Sequence, residues 1–177
     1  MMKKSLERIE ERLTGARNLD EPPLHLWDPP LSGDIDIRIA ADGQWFHEGR
    51  PIKREAIVRL FASILRREAD GEYYLVTPAE KWRIQVDKYP LLVIAVDRVP
   101  AGEDTVLQLT LNTGKRVPVD AEHPLYLDAA HDSIAAVRLD HGLSALFNRN
   151  AWYQLVALAD HQGLVSSGGR VFHLAEP

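Results

Sequence analysis

The texture of the chain after Pro78 constrains its fold more than any other feature. Seven short β-like runs follow at close spacing: Trp82 to Val86, Leu91 to Arg98, Thr105 to Leu111, Arg116 to Val119, Leu125 to Leu127, Ile134 to Leu139 and Ser144 to Phe147. Turn signals separate them, among them Lys88-Tyr89-Pro90, Pro100-Ala101-Gly102, Asn112-Thr113-Gly114 and His141-Gly142. Short strands with a turn between each have the spacing of a meander. A helical stripe follows from about Arg149 to His161, with Ala151, Trp152, Leu155, Val156 and Ala159 on one face. Ser166-Ser167-Gly168-Gly169 then marks a turn before a last strand at Val171 to Leu174.

The first half is more mixed. Leu6, Ile9 and Leu13 recur at helical spacing among charges, the stripe of a short amphipathic helix ending near Gly15. Pro22-Pro23 and Pro29-Pro30 then exclude helix and favour an extended strap, with Leu24, Leu26 and Trp27 to anchor it. This leader is expected to pack on the body or to dock a partner, a second copy of the chain included. Strict alternation in Asp34-Ile35-Asp36-Ile37-Arg38-Ile39 predicts a half-buried strand with the isoleucines inward. Asp42-Gly43 signals a hairpin, with Trp45-Phe46-His47 as the returning strand. From Lys53 to Glu68, the positions Ala56, Ile57, Leu60, Phe61, Ile64 and Leu65 form a second helical stripe, and Tyr73 to Thr77 reads as a strand.

The two stripes have matching surroundings. Ile37 to Ile39, Asp42-Gly43, a strand, a helix from Arg54 and Gly71 parallel Val137 to Leu139, His141-Gly142, a strand, a helix from Arg149 and Gly169. Two copies are too few for a solenoid, which needs about three. The expected class is α+β, with two related small subdomains built on a duplicated strand-strand-helix-strand motif. The C-terminal one is expected to be a mostly antiparallel meander or barrel with a capping helix. Its element order is that of pleckstrin-homology-like barrels, in which one helix plugs an open end. The expected boundaries are 1–33 for the helix and strap, 34–80 for the N-terminal subdomain and 81–177 for the β-rich C-terminal one. A cleft between two such subdomains is the expected ligand site.

Composition narrows the function classes. The net charge of -5 argues against a general polyanion binder, nucleic acid included. With no cysteine there is no disulfide, thiol nucleophile or cysteine metal site. No apolar run approaches the roughly 20 residues of a membrane helix, and the first residues lack the apolar core of a secretory signal. A cytoplasmic location is the expectation. The seven histidines form no metal-binding signature. No nucleophile elbow or phosphate loop is present, and no cofactor is expected.

Several residues remain as candidates. Thr77, Glu80 and Lys81 follow a strand that Pro78 stops, which places polar side chains at a strand end. They line a ligand site, or Thr77 caps a turn and Glu80 and Lys81 pair at the surface. Trp45 and His47 set an imidazole beside an aromatic wall, and His47 or Glu80 is the candidate acid or base if the chain is an enzyme. The segment from Arg50 to Arg67 carries six basic residues against Glu55 alone. Lys53, Arg54 and Arg59 there are the candidate anion site, near a helix start, or simply a solvated face. His131-Asp132 offers an imidazole and a carboxylate in a turn.

The stretches Asp42 to Ile52, Val58 to Arg66, Tyr74 to Lys81, Asn112-Thr113-Gly114 and Phe147 to Tyr153 resemble the uncharacterised bacterial domain-of-unknown-function family 1285. The resemblance runs from about Asp34 to Leu174. It implies two related subdomains, a C-terminal part loosely like a pleckstrin-homology fold, a ligand site at the subdomain interface and a part in signal transduction. It implies no reaction. The expected function is therefore non-enzymatic binding of a ligand or partner. The site is expected to be lined by Trp45, His47, Thr77, Glu80, Lys81, Asn112, Asn148 and Arg149.

Overall fold

The chain divides into two compact units, Met1–Lys88 and Tyr89–Pro177. The structure, a computed structural model, describes residues 6–11 and 21–175. Gly15, where the first helix is expected to end, lies outside them.

The first unit opens with a helical segment α1 (residues 6–11) and a single 3-10 turn at Leu24–Leu26. Six strands follow: β1 (Leu31–Ile39), β2 (Trp45–His47), β3 (Arg50–Pro51), β4 (Leu65–Arg67), β5 (Tyr73–Val76) and β6 (Lys81–Val86), with helix α2 (Glu55–Ser63) between β3 and β4. They form one sheet in the order β3-β2-β1-β6-β5-β4. The central pair, β1 and β6, is parallel, and the other pairs are antiparallel. Ile35, Ile37 and Ile39 are buried, as their alternation predicts, together with Trp45, Phe61, Ile64, Leu65 and Leu75. Asp42 Oδ1 accepts the Gln44 N–H at 3.0 Å and shapes the β1–β2 hairpin, where Gly43 has φ 86°.

The second helical stripe is only partly helix. It runs to Ser63, whose hydroxyl donates to the Leu60 carbonyl at 2.6 Å, and Leu65 to Arg67 are strand. The reason is tertiary: Leu65, Arg66 and Arg67 pair with Leu75, Tyr74 and Tyr73, and a ladder to a distant strand replaces helical bonding at the end of a periodic run. The strap is anchored too. Arg66 Nη1 donates to the carbonyls of Trp27 at 2.8 Å and Leu24 at 3.2 Å, and Leu24 is buried while Leu26 is exposed. A 3-10 turn interrupts the extended conformation that its prolines favour.

The second unit contains β7 (Leu91–Ala101), β8 (Asp104–Leu111), β9 (Arg116–Pro118), β10 (Leu125–Asp128), β11 (Ile134–Arg138) and β12 (Ser144–Phe147). Their sheet has the order β10-β11-β12-β7-β8-β9, with β12 and β7 parallel and every other pair antiparallel. Helix α3 (Arg149–Leu158) packs on β7 and β12, burying Ala151 and Leu155 but leaving Val156 45% exposed. A hairpin of β13 (Leu164–Ser167) and β14 (Arg170–His173) follows. Buried Ser167 ties it to the sheet, accepting from Leu107 N at 2.8 Å and donating to Val119 O at 2.7 Å.

Both sheets thus share one strand order, a meander of three strands, a second meander of three, and a parallel pair of the first and sixth at the centre. In this order β7 corresponds to β1. The matching segments found in the sequence, Ile37 to Ile39 and Val137 to Leu139, belong instead to a first and a fifth strand. The helices are not equivalent either, since α2 joins the two meanders and α3 follows the second. The boundary differs from the expected one after Glu80, because β6 pairs with β1 and so belongs to the first sheet.

Candidate functional site

In the first unit β4, β5 and β6 lie side by side. Arg66 pairs with Tyr74, Tyr74 with Arg83, and Arg83 with Asp34 of β1. Side chains alternate along a strand, so Lys81, two residues before Arg83, shares that face. Its ammonium lies 4.9 Å over the Tyr74 ring and donates to Glu68 Oε1 at 2.7 Å. Arg66 Nη2 donates to Glu68 Oε2 at 2.9 Å. The three side chains are 15–23% exposed. Burial pushes the Glu68 carboxyl up, but the hydrogen bonds from Lys81 and Arg66 outweigh it and hold the group below its ordinary value. Tyr74 donates to Asp70 Oδ2 at 2.5 Å, and this bond pushes its hydroxyl up to about 12.

Thr77 closes the turn that leads into β6. It is fully buried, and its Oγ1 accepts from the Glu80 N–H at 3.0 Å and the Ala79 N–H at 3.4 Å. Its own N–H donates to the Glu80 carbonyl at 2.8 Å. The Glu80 side chain, at the end of this turn, is only 12% exposed. Glu80 Oε1 lies 3.8 Å from Arg8 Nη1 of α1, whereas Oε2 is buried without a hydrogen bond. Arg66 Nε is buried and unpartnered as well.

Trp45 and His47 belong to the opposite face. They pair with Ile39 and Ile37, which alternate with Asp34, Asp36 and Arg38. Trp45 is core, with its ring 6.4 Å from Phe61. His47 Nε2 is buried without a hydrogen bond, 4.0 Å from Glu48 Oε1. Lys53, Arg54 and Arg59 are exposed, and Arg59 lies 3.8 Å from Glu55. In the second unit Asn112 Oδ1 accepts the Leu92 N–H at 3.1 Å, Asn148 Oδ1 caps α3 by accepting the Ala151 N–H at 2.8 Å, and Arg149 is exposed. Of the eight expected ligand residues, the structure assembles Thr77, Glu80 and Lys81 around one strand end. It adds Arg8, Arg66, Glu68 and Tyr74, whose partnerships depend on strand pairing and carry no local signature.

The imidazole of His131 pairs with Asp128 rather than Asp132. Its Nδ1 lies 2.8 Å from Asp128 Oδ2, the oxygen to which Tyr89 donates at 2.5 Å, while Asp132 adopts φ 55°. Burial first, then the bonds to Asp128 and Tyr126, raise the Tyr89 hydroxyl above its ordinary value. Among the described residues no group of three or more His, Asp or Glu is placed to hold a metal, and no helix is long and apolar enough to cross a membrane.

These features define a two-domain, mostly β protein with a six-stranded sheet in each domain and few helices. The family model for the "Domain of unknown function (DUF1285), N-terminal domain" matches residues 22–89, and that for the C-terminal domain of the DUF1285 proteins matches residues 90–174. The chain belongs to the DUF1285 family. A crystal structure of a DUF1285 family protein from Silicibacter pomeroyi DSS-3 is similar with a TM-score of 0.81 and 37% identity, over 93% of each chain. One from Shewanella baltica OS155 has a TM-score of 0.58 and 31% identity, over 68% of this chain and 90% of its own. No curated protein matches the chain.

Proposed function

We propose that this chain is a non-enzymatic binding protein, and that the Glu80–Lys81 end of β6 is its site for a small polar ligand or a partner. One observation carries the reading. Glu80 Oε2, on the residue just before Lys81, and Arg66 Nε, on the side chain that bonds Glu68, are both buried without hydrogen bonds. Leaving such a group unpaired costs about 1–3 kcal/mol or more, a cost that a ligand offering polar partners removes. The reading assigns no reaction. Lys81 and His47 lie on opposite faces of the sheet.

A role in signal transduction and a pleckstrin-homology-like second domain belong to the same proposal. The meander followed by helix α3 supports the second of these.

A thermal-shift screen of nucleotides, phosphorylated metabolites and amino acids tests the site. A ligand at 100 times its Kd stabilises the folded chain by about 2.7 kcal/mol. The expected outcome is a class of compound that raises the melting temperature of the wild type and not of Glu80→Gln. A broad library without a single shift overturns the small-molecule reading.

A further inference from the structure

Independently of the Glu80 reading, we infer that His131 of the second unit is a phosphoryl acceptor, its Nε2 taking the group from a small acyl phosphate while Asp128 holds the ring from the other side. An ionised carboxylate only accepts hydrogen bonds. His131 Nδ1 lies 2.8 Å from Asp128 Oδ2, so the proton of the neutral ring sits on Nδ1 and the lone pair on Nε2. A carboxylate behind an imidazole fixes its tautomer and raises its basicity. Among the described residues Nε2 has no hydrogen-bond or ion-pair partner. Unlike His47 Nε2 it is not buried, and the His131 side chain is 25% exposed.

The turn around His131 presents that nitrogen. Asp128 Oδ1 accepts the Ala130 N–H at 2.9 Å, the Asp128 carbonyl accepts the Ser133 N–H at 3.0 Å, and Oδ2 accepts the Tyr89 hydroxyl at 2.5 Å. The Tyr89 bond first, then those from His131 and the Ala130 N–H, outweigh burial and hold the carboxyl below its ordinary value, so Asp128 remains an acceptor. The Tyr89 ring meets the imidazole edge-on, with centroids 5.5 Å apart, and fixes its plane. Asp132 and Ser133 adopt φ 55° and 54°. Successive left-handed residues other than glycine are strained, and such strain clusters at functional sites.

The transfer is a simple displacement. The Nε2 lone pair forms the N–P bond, the P–O bond to the acyl group breaks, and the carboxylate leaves with the bonding pair. No proton moves: the Nδ1–H stays on Asp128, whose negative charge faces the positive charge that the ring gains. Phosphoryl transfer asks mainly for positioning and charge compensation, and the Asp128–His131 pair supplies both. Acyl transfer asks in addition for donors aimed at an oxyanion, whereas the Ala130 and Ser133 N–H groups of this turn are already bonded to Asp128. The chain is the acceptor in this step and not its catalyst.

Incubation of the full chain with acetyl phosphate at about pH 8, where an ordinary histidine is neutral, tests this. Peptide mass mapping under alkaline conditions, which preserve the N–P bond, locates the group. His131 is expected to gain a phosphoryl group about tenfold faster than any other histidine, the lower end of what a carboxylate partner contributes. The other histidines, exposed His25 among them, are controls within the same chain. Asp128→Asn is expected to slow the reaction at His131 by about 10- to 100-fold and to leave His25 unchanged, while Asp128→Glu retains part of the rate. Label spread evenly over the histidines or absent from His131 overturns the inference, as does an unchanged rate in Asp128→Asn. An acetyl group at His131 in place of a phosphoryl group overturns it as well. Melting curves establish that the variants are folded, and the comparison among histidines in the wild type remains decisive should they fail to fold.

Discussion

Lys81 Nζ donates to Glu68 Oε1 at 2.7 Å, joining the first residue of β6 to the segment just after β4. The contact crosses β5, whose Tyr74 ring lies beneath the ammonium. Arg66 completes it from the other side, so one carboxylate links two strands that are not neighbours in the sheet.

Glu68→Gln is expected to destabilise the chain by about 1.5–3 kcal/mol, the range for hydrogen bonds to charged groups. The effect depends on pH. The carboxyl is held below its ordinary 4.5 in the folded state, so the unfolded chain binds more protons between the two values. Its stabilisation is present above about pH 4.5 and is lost as pH falls through the lower folded value. Urea unfolding midpoints should differ clearly between wild type and variant at neutral pH and converge in acid.

Thr77→Val keeps the shape of a fully buried side chain and removes the acceptor of the Glu80 and Ala79 N–H groups. A loss of about 1 kcal/mol is expected, the net worth of a typical hydrogen bond, because these part-buried donors lose their partner. Chemical denaturation measures it. A change below a few tenths would mean that water reaches the turn.

Tyr74 should titrate late. An ordinary tyrosine ionises near pH 10, whereas the bond to Asp70 pushes Tyr74 up to about 12. An alkaline titration followed by tyrosinate absorbance should show a late phase in the wild type that is missing in Tyr74→Phe and shifted to lower pH in Asp70→Asn.

Asn148 is a helix cap. Asn148→Ala should cost about 1 kcal/mol, and Asn148→Ser should remain close to wild type, since serine also caps. Thermal unfolding of the two variants separates capping from any contribution of the amide to ligand binding.

The candidate site was partly legible. Pro78 after an apolar strand marked Thr77, Glu80 and Lys81, because a proline has no N–H to donate to a ladder. His47 looked equally suitable, yet the pairing of His47 with Ile37 turns it toward the core face. Glu68 was hidden as the last residue of an expected helix, and only the β4–β5 pairing turns that segment into strand. His131 next to Asp132 suggested a pair by adjacency, but Asp128, three residues back across a tight turn, holds the imidazole.

Local periodicity and turn chemistry determined most strands, both helix starts and the Asp42-Gly43 hairpin, because those signals act over a few residues. The repeat read from the sequence matched non-equivalent strands and helices, so the shared strand order of the two sheets was visible only in the strand pairing. Tertiary structure alone decided which strands meet. The parallel pairs β1–β6 and β7–β12 join residues about fifty positions apart, as Asp34 joins Arg83. Such ladders use backbone groups that every residue type shares, so side-chain patterns do not encode the partner. The same pairings set the true correspondence between the units, ended α2 at Ser63 and brought Arg66 and Lys81 onto Glu68.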